Sequence, residues 1–135
     1  LLIRENNENQ ISIYRGTLDK VIIVENLGRI KAAFPSLPPE FFKIFGERIK
    51  DKGFTNERLK EAVNNVIDNC QYPTPTLANF LSFDKRIKVY SYNEYCNAIT
   101  SHEAGPNDFS KIHINEKLYW VKTADKELNN IPDSL

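Results

Sequence analysis

Three cations, Lys85, Arg86 and Lys88, stand immediately before three tyrosines, Tyr90, Tyr92 and Tyr95, in the stretch DKRIKVYSYNEY. Side chains of these two kinds bind a nucleic-acid strand together, the cations on phosphates and the rings on bases. They also serve a fold that binds nothing: tyrosines anchor a core while lysine stems lie along it with their heads in water. Lys111, Lys117 and Lys122 recur in KIHINEKLYWVK. These six cations are the candidate nucleic-acid contacts.

Other chemistries lack their residues. A phosphate-cradling loop needs clustered glycines, and Gly16, Gly28, Gly46, Gly53 and Gly105 are all isolated. Neither His102 nor His113 lies in a nucleophile motif, so no enzyme is expected. Structural zinc takes close ligand pairs. Cys70 and Cys96 are 26 positions apart and the two histidines 11, so no metal or other cofactor is expected.

The composition bounds the rest. At 135 residues, 41% hydrophobic and 27% charged, the chain reads as one globular domain. A formal charge of +0 excludes a generally basic coat. Charge is nonetheless uneven: Lys43, Arg48, Lys50, Lys52, Arg58 and Lys60 outnumber the acids over residues 41–60. That run is a solvated helix face or a phosphate-facing one. No apolar run approaches the ~18 residues of a membrane span, and LLIRENNENQ lacks the features of a secretory leader. Two cysteines are too few for a disulfide framework, so a reduced cytoplasmic protein is expected.

The elements follow from periodicity and punctuation. Residues 1–16 form an N-terminal arm or short strand, ending at Gly16, before a single domain over 17–135. Thr17 caps a helix whose apolar positions include Leu18, Val21, Ile22, Val24, Leu27 and Ile30; its β-branched run leaves a strand as the alternative. Pro35 ends it. A second helix follows PSLPP with an aromatic stripe and closes at Gly53. Thr55 caps a third, with Phe54 and Leu59 as a hydrophobic staple. Thr74 and Pro75 open a short fourth helix, so the two prolines of CQYPTPT are punctuation between helices. SYNE at Ser91–Glu94 is a capping box opening a fifth. Residues 101–135 hold a β-hairpin turning at Asn115-Glu116-Lys117 and a last helical turn. The expected class is mainly α (α+β): four or five helices over 17–100, then the hairpin. The expected core is Leu27, Ile30, Phe42, Phe45, Ile49, Leu59, Val63, Val66, Ile67, Leu77, Phe80, Leu81 and Trp120. Lys85, Arg86 and Lys88 should lie on an exposed connection with Ile87 turned inward.

One stretch carries a family likeness. AAFP at Ala32–Pro35, the aromatic FFKIF, LKEAVNNVI and the closing YPTPTLANFL run from Ala32 to Leu81. This stretch resembles the helical domain of phage replicative-helicase loader and inhibitor proteins. Phe42 and Phe45 stand where that family carries a tryptophan, and the hairpin at Lys111–Lys122 lies outside its pattern. The resemblance implies a non-catalytic accessory protein of a phage or mobile element, a DNA-replication adaptor. Its partner would be a replicative helicase or another replication protein, met by apolar residues near Phe41 or Tyr92. The alternatives are a small nucleic-acid-binding module using the basic cluster and hairpin, and a structural or regulatory protein with neither partner. No membrane and no small-molecule ligand are indicated.

Overall fold

A computed structural model describes residues 2–5 and 8–135. Along the chain run β1 (Leu2–Glu5), β2 (Glu8–Ser12), α1 (Lys20–Ala33), α2 (Pro39–Asp51), α3 (Asn56–Asn69) and α4 (Leu77–Leu81). Then come β3 (Arg86–Lys88), α5 (Tyr92–Thr100), β4 (Phe109–Ile114), β5 (Lys117–Lys122) and α6 (Thr123–Leu128). The class is mainly α (α+β), with the hairpin near the C-terminus.

The chain divides elsewhere than its sequence suggests. One compact unit is Tyr14–Asp84 and the other joins Leu1–Ile13 to Lys85–Leu135. The expected arm, of which residues 1, 6 and 7 lie outside the described residues, is not a separate piece. Its strand β2 pairs antiparallel with β3, Ile11 opposite Ile87, and β1 extends the sheet in the order β1-β2-β3. The fifth helix and the hairpin belong to this same α/β unit.

In the helical unit, α1–α4 enclose a core of Ile23, Ile30, Phe34, Phe45, Ile49, Phe54, Leu59, Ala62, Val63, Val66 and Phe80. Of the expected set, Leu27, Phe42, Ile67, Leu77 and Leu81 are half-buried against it. Helix α3 begins as its sequence dictates: Thr55 accepts from the Arg58 N–H at 3.3 Å, and Phe54 and Leu59 are buried. Gly53 ends α2 at φ 68°, where its N–H bonds Lys50 and that of Phe54 bonds Ile49. This pair of bonds is the Schellman motif, and the left-handed residue suits glycine.

Three expectations shift. Helix α1 starts at Lys20 with Asp19, not Thr17, at its N-cap. Asn56 fixes the start there: the Asp19 N–H donates to Asn56 Oδ1 at 2.8 Å, and Asn56 Nδ2 donates back to Asp19 Oδ2 at 2.9 Å. Helix α4 starts at Leu77 with Thr76 as cap, two residues later than Thr74. Asn79 at the third helical position completes a capping box with Thr76 that Thr74 could not make. Finally, α1 buries Ile23, Asn26 and Ile30, while Val21 and Val24 face water, 67% and 59% exposed. Four consecutive aliphatics, Val21–Val24, span most of a turn at ~100° per residue, so one packing face cannot hold them all.

Gly28 lies mid-helix in α1, and an added Cβ there meets no atom within 4 Å. Nothing inside the chain requires glycine at this position. Gly28→Ala is therefore expected to raise unfolding free energy by about 0.5–1 kcal/mol. Chemical denaturation checks this.

In the α/β unit, β4 and β5 pair antiparallel from Phe109–Lys122 to Ile114–Lys117. Asn115 and Glu116 form the two-residue turn at φ 51° and 68°, the hairpin type whose twist matches its strands; Lys117 already belongs to β5. One hairpin face, with Ile112, Ile114 and Val121, packs with Ile11, Ile87, Val89 and Ile131. The other carries Phe109 and Trp120, packed with Ala98 of α5.

Candidate functional site

The Lys85–Lys88 cluster is a strand, not a connection. Ile87 is turned inward as expected, but Arg86 and Lys88 are half-buried on β3, and Lys85 precedes it, exposed. The strand forms because its backbone closes the β2 ladder. Its alternation puts Arg86 and Lys88 on the face opposite Ile87. Two residues on, Tyr90 makes a two-way bridge with Trp120, at 2.7 and 2.9 Å. Across that bridge Lys111, Trp120 and Tyr90 form one row, since Lys111 pairs with Trp120. Residues opposite one another in antiparallel strands share a face. The same register puts Lys88 and Lys122 on that face, one step along. Lys117, opposite Ile114, belongs to the other face.

The sheet thus brings Arg86, Lys88, Lys111 and Lys122 together on one face with aromatic rings, and leaves out Lys85 and Lys117. Most of those rings are already occupied. Tyr95 stacks on Trp120 at 4.8 Å and 13°, and Tyr90 and Tyr95 meet Phe109 edge-on at 5.0 and 5.2 Å. Lys88 Nζ sits 4.6 Å over the Tyr90 ring. Tyr92 keeps an open flank: it is 64% exposed, tilted against Trp120 at 5.7 Å. Its hydroxyl is pushed above the ordinary tyrosine value, chiefly by its hydrogen bond with the Cys96 thiol one turn on.

Beside these rings lies a hollow of about 300 Å³, lined by Lys88, Tyr90, Glu94, Asn97, Ser101 and Glu103 among others. Two carboxylates against one ammonium disfavour a phosphate there. Glu94 is also committed, since its Oε1 accepts the Ser91 N–H at 3.1 Å in the capping box foreseen from SYNE. His102 has a backbone role. At φ 61° it closes α5, its N–H on Ile99 and that of Glu103 on Ala98, another Schellman pair. His113 points outward opposite Leu118. Cys70 and Cys96 are half-buried free thiols. Among the described residues no group of three or more His, Cys, Asp or Glu is placed to hold a metal, and no helix is long and apolar enough to cross a membrane.

The helical unit offers a different kind of surface. A groove of about 310 Å³ is lined by Leu27, Gly28 and Lys31 of α1, Leu37, and Pro39 and Phe42 of α2. Exposed Val21 and Val24 lie on the same helix. Phe41, expected at a partner surface, is half-buried instead. Its ring stacks on Phe45 at 6.1 Å and 19° and meets Phe80 and Phe42 edge-on at 6.0 and 5.6 Å. Its neighbour Phe42 reaches the groove, because one step along a helix turns the side chain by ~100°. The sequence signal for this surface is the surplus of aliphatics in α1.

The basic run over residues 41–60 is also not one solvated face. Arg58 is buried. Its Nε donates to the Phe83 carbonyl at 2.8 Å and lies 3.8 Å from Asp84 Oδ1, and its guanidinium rests 3.9 Å over the Phe54 ring. Nearby, burial and then the Glu61 carboxylate push the Tyr14 phenol well above its ordinary value. Burial lowers Arg15, against the pull of Asp84. Arg15 Nη1 donates to the Tyr14 carbonyl at 2.7 Å. This cluster closes the helical unit on itself.

Comparison with protein-family models, with curated proteins and with solved structures finds no match.

Proposed function

We propose that this chain is a non-catalytic accessory protein that works by binding another protein, a DNA-replication adaptor of a phage or mobile element. The observation that carries the protein-binding part is the aliphatic surface of α1. Val21 and Val24, 67% and 59% exposed, stand in water on the helix that also lines an apolar groove. Contiguous exposed apolar surface marks interaction sites more often than scattered residues do. The replication role rests on the helicase-loader resemblance of residues 32–81, which runs through α2 and ends in α4. Such a protein would work in the cytoplasm, with a replicative helicase as the first partner to try.

The test is the double variant Val21→Glu/Val24→Glu. Exposed substitutions of this kind change stability by within about 0.5 kcal/mol, so its thermal melt should match that of the original chain. Retention of purified replicative helicase on the immobilised protein should fall at least tenfold. Unchanged retention overturns the reading.

The α/β unit supports a second reading, a nucleic-acid-binding module. The supporting observation is the shared face of Arg86, Lys88, Lys111 and Lys122 beside exposed Tyr92. If this face grips a strand, Lys88→Ala/Lys122→Ala should flatten the slope of log affinity against log salt by roughly 0.7 per lost single-strand contact. The leading reading expects no saturable binding of a labelled single strand near ~0.15 M salt, measured by fluorescence anisotropy.

A further inference from the structure

We infer that the α1–α2 groove takes an amphipathic α-helix of the partner protein, one that presents an acidic side chain to Lys31. This rests on the protein-docking reading above and names the occupant. Three observations select it.

The first is spacing. Val21, Val24, Gly28 and Lys31 follow one another at intervals of three, four and three. That is the a/d spacing of a heptad, the geometry in which one helix offers a seam to another, with valines at two of its four places. The seam rises ~15 Å at 1.5 Å per residue, about three turns. A peptide that binds as a β-strand gains its affinity by adding to a free sheet edge. Along this groove both walls are helical or turn backbone, so no ladder is on offer.

The second is Gly28. It lines the groove, no atom lies within 4 Å of an added Cβ, and its helical position needs no glycine. A glycine there leaves a hole in the seam, flanked by Leu27 and Phe42, into which a side chain of a second helix can descend.

The third is charge. Lys31 is the cation lining an otherwise apolar groove, so the partner's complementary group is a carboxylate. A second copy of this chain fits poorly. A parallel pairing of two α1 helices sets Lys31 against Lys31, and an antiparallel one brings it toward Lys20.

The experiment uses the isotopically labelled full chain and three synthetic peptides of about 20 residues, long enough to hold helix. Each has leucine at heptad spacing. One carries Glu opposite Lys31, the second Lys at that place, and the third a central Pro. Amide shifts should centre on Val21, Val24, Gly28, Lys31 and Phe42. The Glu peptide should bind about tenfold tighter than the Lys peptide, and Lys31→Glu should invert that order. Gly28→Leu should abolish binding with the amide spectrum otherwise preserved. Equal affinity for the Glu and Lys peptides overturns the inference. So does a Pro peptide that binds the same residues equally well, although protein docking at the groove then stands. Absence of shifts with every peptide also overturns it. The retention of helicase by Val21→Glu/Val24→Glu decides the parent reading separately.

Discussion

Phe45→Ala is expected to lower unfolding free energy by about 3–5 kcal/mol. Phe45 is fully buried and meets Phe80 edge-on at 5.1 Å, with Phe41 stacked on it at 6.1 Å and touching Phe80 as well. Removing the ring deletes its transfer free energy and leaves a cavity between α2 and α4. The neighbouring rings cannot collapse into it without breaking their own contacts. Each of these two ring pairs, one edge-on and one stacked, contributes about 0.5–1.5 kcal/mol beyond burial, which places this site in the upper part of the range. Urea or guanidinium titration measures the loss. A cost under ~1 kcal/mol would mean that the aromatic layer is not the core of the helical unit.

Arg58→Ala is expected to cost a comparable amount, about 3–5 kcal/mol, by a different route. The guanidinium satisfies the Phe83 carbonyl, faces Asp84 and covers the Phe54 ring. Asp84 has only 6% of its side chain exposed. Without Arg58 that carboxylate loses the guanidinium 3.8 Å away while staying out of water, and removing one partner of a buried pair is what makes such losses large. Asp84→Asn in the Arg58→Ala background should recover part of the loss. The cycle of single and double variants, followed by thermal or chemical unfolding, should show coupling well above the ~0–1 kcal/mol of exposed pairs. Additive losses would show that the two residues act separately.

Arg58 also shows where sequence reasoning stops. Its type and its neighbours describe a surface cation; what draws it inside is Asp84 and the carbonyls of Leu81 and Phe83, more than twenty positions away. The same holds for β3. Three residues rich in charge carry little strand signal of their own, and their ladder partner β2 lies near the other end of the chain. Local signals fared better. The Thr55 cap with its Phe54–Leu59 staple, the Ser91–Glu94 box, the left-handed Gly53 and the hairpin each stand where a few adjacent residues put them, because each is decided within a turn or two of backbone. The phase of α1 was not legible. Leucine, isoleucine and valine fill more of its circumference than one core needs, and only packing against α3 decides which of them face water. The apolar surface is therefore a product of the tertiary fold, as is the shared face of Lys88, Lys111 and Lys122, set by the Tyr90–Trp120 bridge.

The most direct test of the central claim is a hydrogen-exchange footprint of the full chain with and without the replicative helicase of the organism that encodes it. Protection is expected in the exposed half of α1, from Val21 to Lys31, and in the first turn of α2 around Phe42, with β3 and β5 exchanging as before. Protection confined to β3, β5 and Tyr92, or none anywhere at saturating helicase, contradicts it.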